Sequence, residues 1–145
     1  MDKKGAGMYY SDKPTLTLKE YVNQLQLNDP IFYTELTKRN YKFWQSSTSE
    51  HYLNDILAQK CVYDGAGNKL FFIDCFLYIY DKERFPLYPE SQEKVKCVIE
   101  SRFYLDNNED RYCVVQLNIK DLDYAEKFFL EFFAKYNCIP YEKAN

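Results

Sequence analysis

The sequence predicts an α+β fold with three N-terminal helices, a four-stranded antiparallel meander sheet and a C-terminal helix packed on the sheet. Apolar residues recur at helical spacing in roughly the first 60 residues. From Cys61 onward the spacing shortens to two, as in half-buried strands, and helical spacing returns after Asp121. Because helices and strands are grouped rather than alternating along the chain, the pattern favours an α+β fold over a parallel α/β sheet.

The chain of 145 residues has the length of one domain. Residues 1–14 are polar, contain glycine and show no periodicity, so we expect a flexible N-terminal arm. Residues 15–145 then form a single α+β domain, since no stretch has the length and composition of a linker.

Capping signals and helical spacing predict the three N-terminal helices. A T-x-x-E capping box at Thr17 starts the first helix, which we expect to end near Leu27. Asp29, followed by proline, is the expected N-cap of a second, longer helix. The spaced positions of that helix are Phe32, Tyr33, Leu36, Asn40, Tyr41, Phe43 and Trp44. A third helix is predicted from about residue 50 to residue 60.

The two-residue spacing predicts four strands, of which the first is short and the others are long. They are expected at residues 61–63, 69–80, 94–105 and 111–119. The segment Asp106–Asp110 is the expected hairpin loop between the last two strands, and pairing about it places Tyr104 opposite Tyr112 and Glu100 opposite Gln116. The final helix is predicted from Asp121 to about residue 137, with acidic residues in its first turn.

Alternation along the long strands predicts two different sheet faces. The odd-numbered positions are apolar and predict a core face: Phe71, Ile73, Cys75, Leu77, Ile79, Val95, Cys97, Ile99, Phe103, Cys113, Val115, Leu117 and Ile119. The even-numbered positions mix aromatic, charged and amide side chains. These predict an amphipathic second face, which is either covered by a helix or open to a partner.

Asp74 is the main evidence for such a second face, because it is the only charged residue in the apolar run LFFIDCFLYIY. An unpaired buried carboxylate would cost several kcal/mol or lose its charge. On the second face Asp74 avoids that cost, and we expect Lys96 to lie within cross-strand reach of it.

Composition excludes several function classes. The formal net charge of −3 and the pI of about 5.3 disfavour nucleic-acid binding, which needs a basic surface. Five cysteines without a CxxC pair and a single histidine contain no zinc-ligand spacing. We expect reduced thiols and a cytoplasmic location, because no apolar signal segment is present and the longest apolar run is too short to cross a bilayer.

No catalytic, metal-binding or cofactor-binding residues are predicted, so an enzyme is the less favoured class. The DNNED segment resembles the opening of a calcium loop, but Arg111 replaces the required glycine and Leu117 replaces the required glutamate. His51 follows a polar segment and is expected to serve a surface or capping role rather than catalysis. No cofactor is expected.

The function hypothesis that follows is a small intracellular protein that binds and neutralises or occupies another protein, in the manner of an immunity protein, an antitoxin or a phage inhibitor. Tyrosine and arginine with a polar surround are typical of binding hot spots. The expected partner is a toxin or a host enzyme, and a homodimer is also compatible. The expected contact residues are Asp74, Phe76, Tyr78, Tyr80, Lys96, Glu100, Arg102, Tyr104 and Tyr112.

The alternative hypothesis is a small-ligand binding protein or enzyme with a pocket on the same face. Tyr78, Asp74, Lys96 and Arg102 would supply its polar groups, and the arginine would favour an anionic ligand such as a nucleotide.

Overall fold

The computed structural model describes residues 17–45, 56–79, 87, 95–105 and 111–144. Its helices are α1 (Leu18–Asn28), α2 (Pro30–Lys38), α3 (Leu122–Lys135) and α4 (Tyr141–Ala144). Its strands are β1 (Lys42–Gln45), β2 (Ile56–Tyr63), β3 (Lys69–Ile79), β4 (Val95–Leu105), β5 (Tyr112–Leu117) and β6 (Cys138–Ile139). The predicted α+β class, antiparallel sheet and C-terminal helix are confirmed. The predicted N-terminal arm lies outside the described residues.

The first five strands form a meander in the order β1-β2-β3-β4-β5, and β6 pairs with β4 in the same six-stranded sheet. Every described pairing is antiparallel. The prediction of four strands and three N-terminal helices is therefore wrong, because the described residues contain two helices before a sheet of six strands.

The second predicted helix is too long because the chain turns at Asn40. Its backbone lies in the left-handed region at φ 71°, where asparagine is among the most tolerant residues. Tyr41 N donates to Leu36 O at 3.0 Å, which closes the end of α2. The chain then continues as β1, so Phe43 and Trp44 point to opposite sides of a sheet rather than lying along a helix.

The third predicted helix is replaced by β2 over the described part of its range, while residues 50–55 lie outside the described residues. Leu57 and Ala58 are adjacent and both buried. In a strand with neighbours on both sides, consecutive residues can be buried on opposite faces. Such a pair does not show the alternation by which strands are recognised in sequence.

The predicted helix starts are confirmed by side-chain caps. Thr17 Oγ1 accepts from Glu20 N at 3.2 Å, and Glu20 Oε1 accepts from Thr17 N at 2.8 Å, which completes a capping box. Asp29 caps α2 by accepting from Phe32 N at 3.2 Å. Asp121 is the N-cap of α3, accepting from Tyr124 N at 3.0 Å.

The predicted core face is confirmed on β3 and β4. The odd-numbered residues from Phe71 to Ile79 and from Val95 to Phe103 are all buried. α1, α2 and α3 all contribute to this core. Phe103 lies at its centre, with its ring centroid 4.8 Å from that of Phe132, 5.1 Å from Phe71 and 5.9 Å from Phe129. α1, α2 and α3 therefore form one layer on one face of the sheet.

The C-terminal segment leaves this layer through a gap beside β4. β4 pairs with β3 through residues 95–100, and with β6 at Tyr104 and Leu105. Because β5 occupies the other edge of β4 at Tyr104, β6 lies on the edge that β3 has left. Ser101 Oγ donates to Phe72 O at 2.7 Å, which satisfies a β3 carbonyl where the two strands separate.

A charged cluster fixes α3 against the start of the sheet. Glu126 lies between Arg39 Nη1 at 2.9 Å, Lys60 Nζ at 3.0 Å and the Tyr41 hydroxyl at 2.9 Å. Burial raises the pKa of Tyr41 far above its usual value, so the hydroxyl remains a neutral donor to the carboxylate. These contacts join α2, β2 and α3.

Replacing Phe103 tests the position of the core. Phe103→Ala should lower the free energy of unfolding by about 3–5 kcal/mol, because a fully buried ring is replaced by a cavity. Urea unfolding measures this change. The control is Leu27→Ala, whose side chain is 77% exposed and whose loss should cost less than about 0.5 kcal/mol. Equal costs would contradict the placement of the core.

Removing the charge of Glu126 tests the cluster. Glu126→Gln should lower the free energy of unfolding by roughly 1–3 kcal/mol, since Arg39 and Lys60 then lose their shared carboxylate. The control is Asp123→Asn, which removes a more exposed partner of Arg39 and should change stability by at most about 1 kcal/mol. A larger loss for Asp123→Asn than for Glu126→Gln would refute this assignment.

Candidate recognition surface on the second sheet face

The side of the sheet opposite α1, α2 and α3 is the second face. The strand registers place the following described residues on it: Lys42, Trp44, Leu57, Gln59, Cys61, Phe72, Asp74, Phe76, Tyr78, Lys96, Val98, Glu100, Arg102, Tyr104, Tyr112, Val114 and Gln116. α4 reaches this side, where the Tyr141 ring meets the Phe72 ring edge-on at 4.9 Å. The remaining described helices lie on the core face.

A row of polar residues crosses this face from one edge strand to the other. Each member pairs with the next in register: Lys42 with Gln59, Gln59 with Asp74, Asp74 with Glu100, and Glu100 with Gln116. The row therefore reads cation, amide, carboxylate, carboxylate, amide. We call these five residues the polar row.

Asp74 is satisfied by an amide rather than by the predicted lysine. Gln59 Nε2 donates to Asp74 Oδ1 at 2.8 Å. The register places Lys96 opposite Tyr78, four residues along β4 from Glu100, the cross-strand partner of Asp74. The predicted Asp74–Lys96 contact is therefore wrong, because the alternation of a strand determines which face a residue joins but not its register against the next strand.

The two central carboxylates of the polar row face each other across β3 and β4. Burial raises the pKa of Asp74 above its ordinary value, and the neighbouring Glu100 raises it further, against the lowering effects of Gln59 and Arg102. Gln116 Nε2 donates to Glu100 Oε1 at 3.2 Å. Gln59 thus supplies a hydrogen bond to Asp74 and Gln116 supplies one to Glu100, while the like charges remain side by side.

An apolar row lies next to the polar row. In register across the first four strands it consists of Trp44, Leu57, Phe76 and Val98. Leu57 is buried, Phe76 and Val98 are half-buried and Trp44 is exposed at the edge strand. The second face therefore has an apolar strip whose outer end is accessible to solvent.

The opposite end of the face carries an arginine–tyrosine cluster, formed by Arg102, Tyr104 and Tyr112. The Arg102 guanidinium carbon lies 4.4 Å from the centroid of the Tyr112 ring, and the two tyrosine centroids are 6.1 Å apart. Tyr112 is 51% exposed. The predicted pairings of Tyr104 with Tyr112 and of Glu100 with Gln116 are confirmed, because the short hairpin loop sets this register.

The structure divides the predicted contact residues between the two ends of the face. Tyr78 and Lys96 form one cross-strand pair, and Arg102 lies six residues further along β4, about 20 Å away at strand geometry. The four residues of the expected small-ligand pocket are thus not brought together. Tyr80 lies outside the described residues.

Four residues of this face were not found from the sequence: Lys42, Trp44, Leu57 and Gln59. All lie on strands that were predicted as helices. The density of aromatic residues in YKFWQ, a residue type enriched in strands, was the signal that indicated β1.

Within the described residues no group of three or more histidine, cysteine, aspartate or glutamate side chains could hold a metal ion. No described helix is long and apolar enough to cross a membrane. No protein-family model, curated protein or solved structure matches the chain.

Replacing Asp74 tests the electrostatics of the polar row. Asp74→Asn keeps an oxygen acceptor for Gln59 but removes the charge that faces Glu100, so it should raise the free energy of unfolding near neutral pH by about 0.2–1 kcal/mol. The pKa of Asp74 is raised in the folded protein. The destabilising effect of its charge therefore grows as the pH rises from the pKa of aspartate in the unfolded chain through the pKa of Asp74 in the folded protein. The gain should therefore vanish in urea titrations below the usual aspartate pKa of about 3.9.

Asp64→Asn is the matched control with the opposite sign. Hydrogen bonds from Asn68 lower the pKa of Asp64, so its charge stabilises the folded protein. Asp64→Asn should reduce stability near neutral pH, and this loss should shrink in acid. A destabilising Asp74→Asn would contradict the assignment of the two central carboxylates.

Proposed function

We propose that this protein binds another protein through its second sheet face and thereby neutralises or occupies it. The proposed partner is a toxin or a host enzyme, and the proposed location is the cytoplasm. All five cysteines are free thiols, which supports a reducing compartment.

The observation that carries the proposal is the placement of the three longer helices, α1, α2 and α3, on one side of the sheet. α1, α2 and α3 contribute to the core face, while the second face presents Arg102, Tyr112 and Trp44 to solvent. Arginine, tyrosine and tryptophan are the residue types most enriched in binding hot spots. The exposed Arg102 and Tyr112 are in direct contact with each other, which is an arrangement typical of a hot spot.

The shape of the face favours a macromolecular partner. Five adjacent strands span roughly 19 Å across the sheet, and a strand the length of β4 spans roughly 35 Å. A surface of this extent approaches the area of about 800 Å² that each partner buries in a standard protein interface, and α4 occupies the part of it at Phe72. The polar groups are spread across it rather than converging on one point.

The charge pattern favours a partner with both signs of charge. Lys96 and Arg102 are exposed at the two ends of β4, and Glu100 lies between them with Asp74 beside it. Complementary charges at such positions fix register and steer association. The aromatic side chains would supply most of the affinity, since flanking charges contribute little when exposed.

The test is the native mass of the protein purified gently from its own source cells. The wild type should carry an excess of tens of kilodaltons that is not a multiple of its own 17.5 kDa. Tyr112→Ala combined with Arg102→Ala should remove that excess without changing the melting temperature, because both side chains are exposed. An interface hot spot typically costs about 2 kcal/mol or more when truncated.

The matched control is Tyr124→Ala combined with Lys127→Ala, which removes an exposed tyrosine and an exposed cation from the helix layer. This variant should keep the bound partner. An excess of a few hundred daltons in the wild type would indicate a small ligand and contradict the proposal. Retention of the partner by the second-face variant would contradict the choice of surface.

A further inference from the structure

A groove at the edge of β2 provides a second site, separate from the arginine–tyrosine cluster. Its volume is about 650 Å³. It lies between the start of β1, the last four residues of β2 and the outer side of α3. Lys42, Cys61, Val62, Tyr63, Phe72 and Leu130 are among its lining residues.

The groove exists because β1 covers only part of β2. β3 pairs with β2 along its whole length, from Ile56 to Tyr63, whereas β1 pairs with residues 56–59. Within the described part of the chain, no strand pairs with the other edge of residues 60–63. The chain enters β1 directly from α2, through the left-handed turn at Asn40 and the hydrogen bond from Tyr41 N to Leu36 O. It therefore joins the sheet at Lys42 and leaves the edge of residues 60–63 uncovered by β1.

An open strand edge is a template for an added strand. A strand added antiparallel to residues 61–63 would lie on the line of β1 and run in the same direction as β1. Its C-terminal end would therefore meet Lys42, the first residue of β1. The other end of the groove is bounded by the turn at residues 64–68, which leaves room for about three residues, or roughly 10 Å.

The charges at the end of the groove favour a carboxylate there. Lys60 is bridged to Glu126 at 3.0 Å. Lys42 is exposed, and none of the described carboxylates forms an ion pair with it. A parallel strand would bring a terminal ammonium group to Lys42, which like charge disfavours. An antiparallel strand brings a terminal carboxylate.

The sides of the groove are apolar at positions that match a strand's alternation. Phe72 lies on the second-face side, and Val62 and Leu130 lie on the helix side. Leu130 is a large apolar residue beside the open strand edge, and 44% of its surface is exposed and available for contact. Successive side chains of an added strand would contact these two sides in turn.

We propose that this groove binds the C-terminal residues of a partner polypeptide as an extended strand antiparallel to β2, with apolar side chains and the terminal carboxylate at Lys42. Backbone hydrogen bonds to residues 61–63 supply binding that is independent of sequence, and the two apolar sides supply selectivity. The proposal does not depend on the function assigned to the second face.

The test uses full-length protein and a pool of fluorescein-labelled hexapeptides whose last three residues are randomised among Val, Ile, Leu and Phe. One pool carries a free C-terminal carboxylate and the other a C-terminal amide. Fluorescence anisotropy should show binding of the carboxylate pool at least about tenfold tighter than binding of the amide pool, because the charge-assisted contact is lost in the amide.

Lys42→Met should make the two pools equal in affinity, whereas Lys42→Arg should retain the preference. The matched control is Lys19→Met, which removes an exposed lysine of α1 and should change nothing. In nuclear magnetic resonance spectra the carboxylate pool should shift the backbone amides of Cys61, Val62 and Tyr63 more than those of the arginine–tyrosine cluster.

Three outcomes would overturn the proposal. Equal affinity of the two pools for the wild type would mean that the groove takes internal segments instead of chain ends. If neither peptide pool binds, the groove takes no partner C terminus, whether or not two copies of the protein pair through β2. Amide shifts confined to Arg102 and Tyr112 would place peptide binding on the second face. The variant Tyr112→Ala with Arg102→Ala should bind the carboxylate pool normally, so the two proposals can fail separately.

Discussion

The two-residue period of the strands is the constraint on which the rest of the structure depends. It places the fully buried residues of β3 and β4 on one side, and burial of that side requires α1, α2 and α3 to pack there together. Phe103 is the centre of this packing, with ring contacts to both the sheet and α3. Trp44, Arg102 and Tyr112 of the second face are exposed to solvent, while α1, α2 and α3 all pack on the other side of the sheet.

Two local features keep the layers in this arrangement. The carboxylate of Glu126 is shared by Arg39 at the end of α2, Tyr41 just before β1 and Lys60 of β2, and so anchors α3 over the start of the sheet. At the other end, β6 pairs with β4 in the gap left by β3, and Tyr141 then contacts Phe72 on the second face. The same turn at Asn40 that ends α2 also leaves β2 partly uncovered and creates the groove.

Much of this arrangement follows from local sequence signals. Helix starts such as Thr17 and the alternation of the long strands depend on neighbouring residues, and both were predicted correctly. The predicted strand at residues 61–63 is the end of β2, but β1 and the first part of β2 were not predicted, because a left-handed turn at Asn40 and burial of Leu57 on the second face are decided by tertiary contacts. The partner of Asp74 was missed for a similar reason: a short loop sets a hairpin register, whereas the segment joining β3 to β4 is long enough to allow several.

The central claim is that one face of the sheet is core and the other is reserved for a partner protein. Hydroxyl-radical footprinting of the protein as isolated from its own cells, compared with the same protein after its bound material is removed, tests this most directly. We expect oxidation of Trp44, Tyr112 and Val114 to rise on removal, while that of Ile31 and Tyr124 in the helix layer stays constant. Increased oxidation of the helix layer, or no change on the second face, would contradict the account.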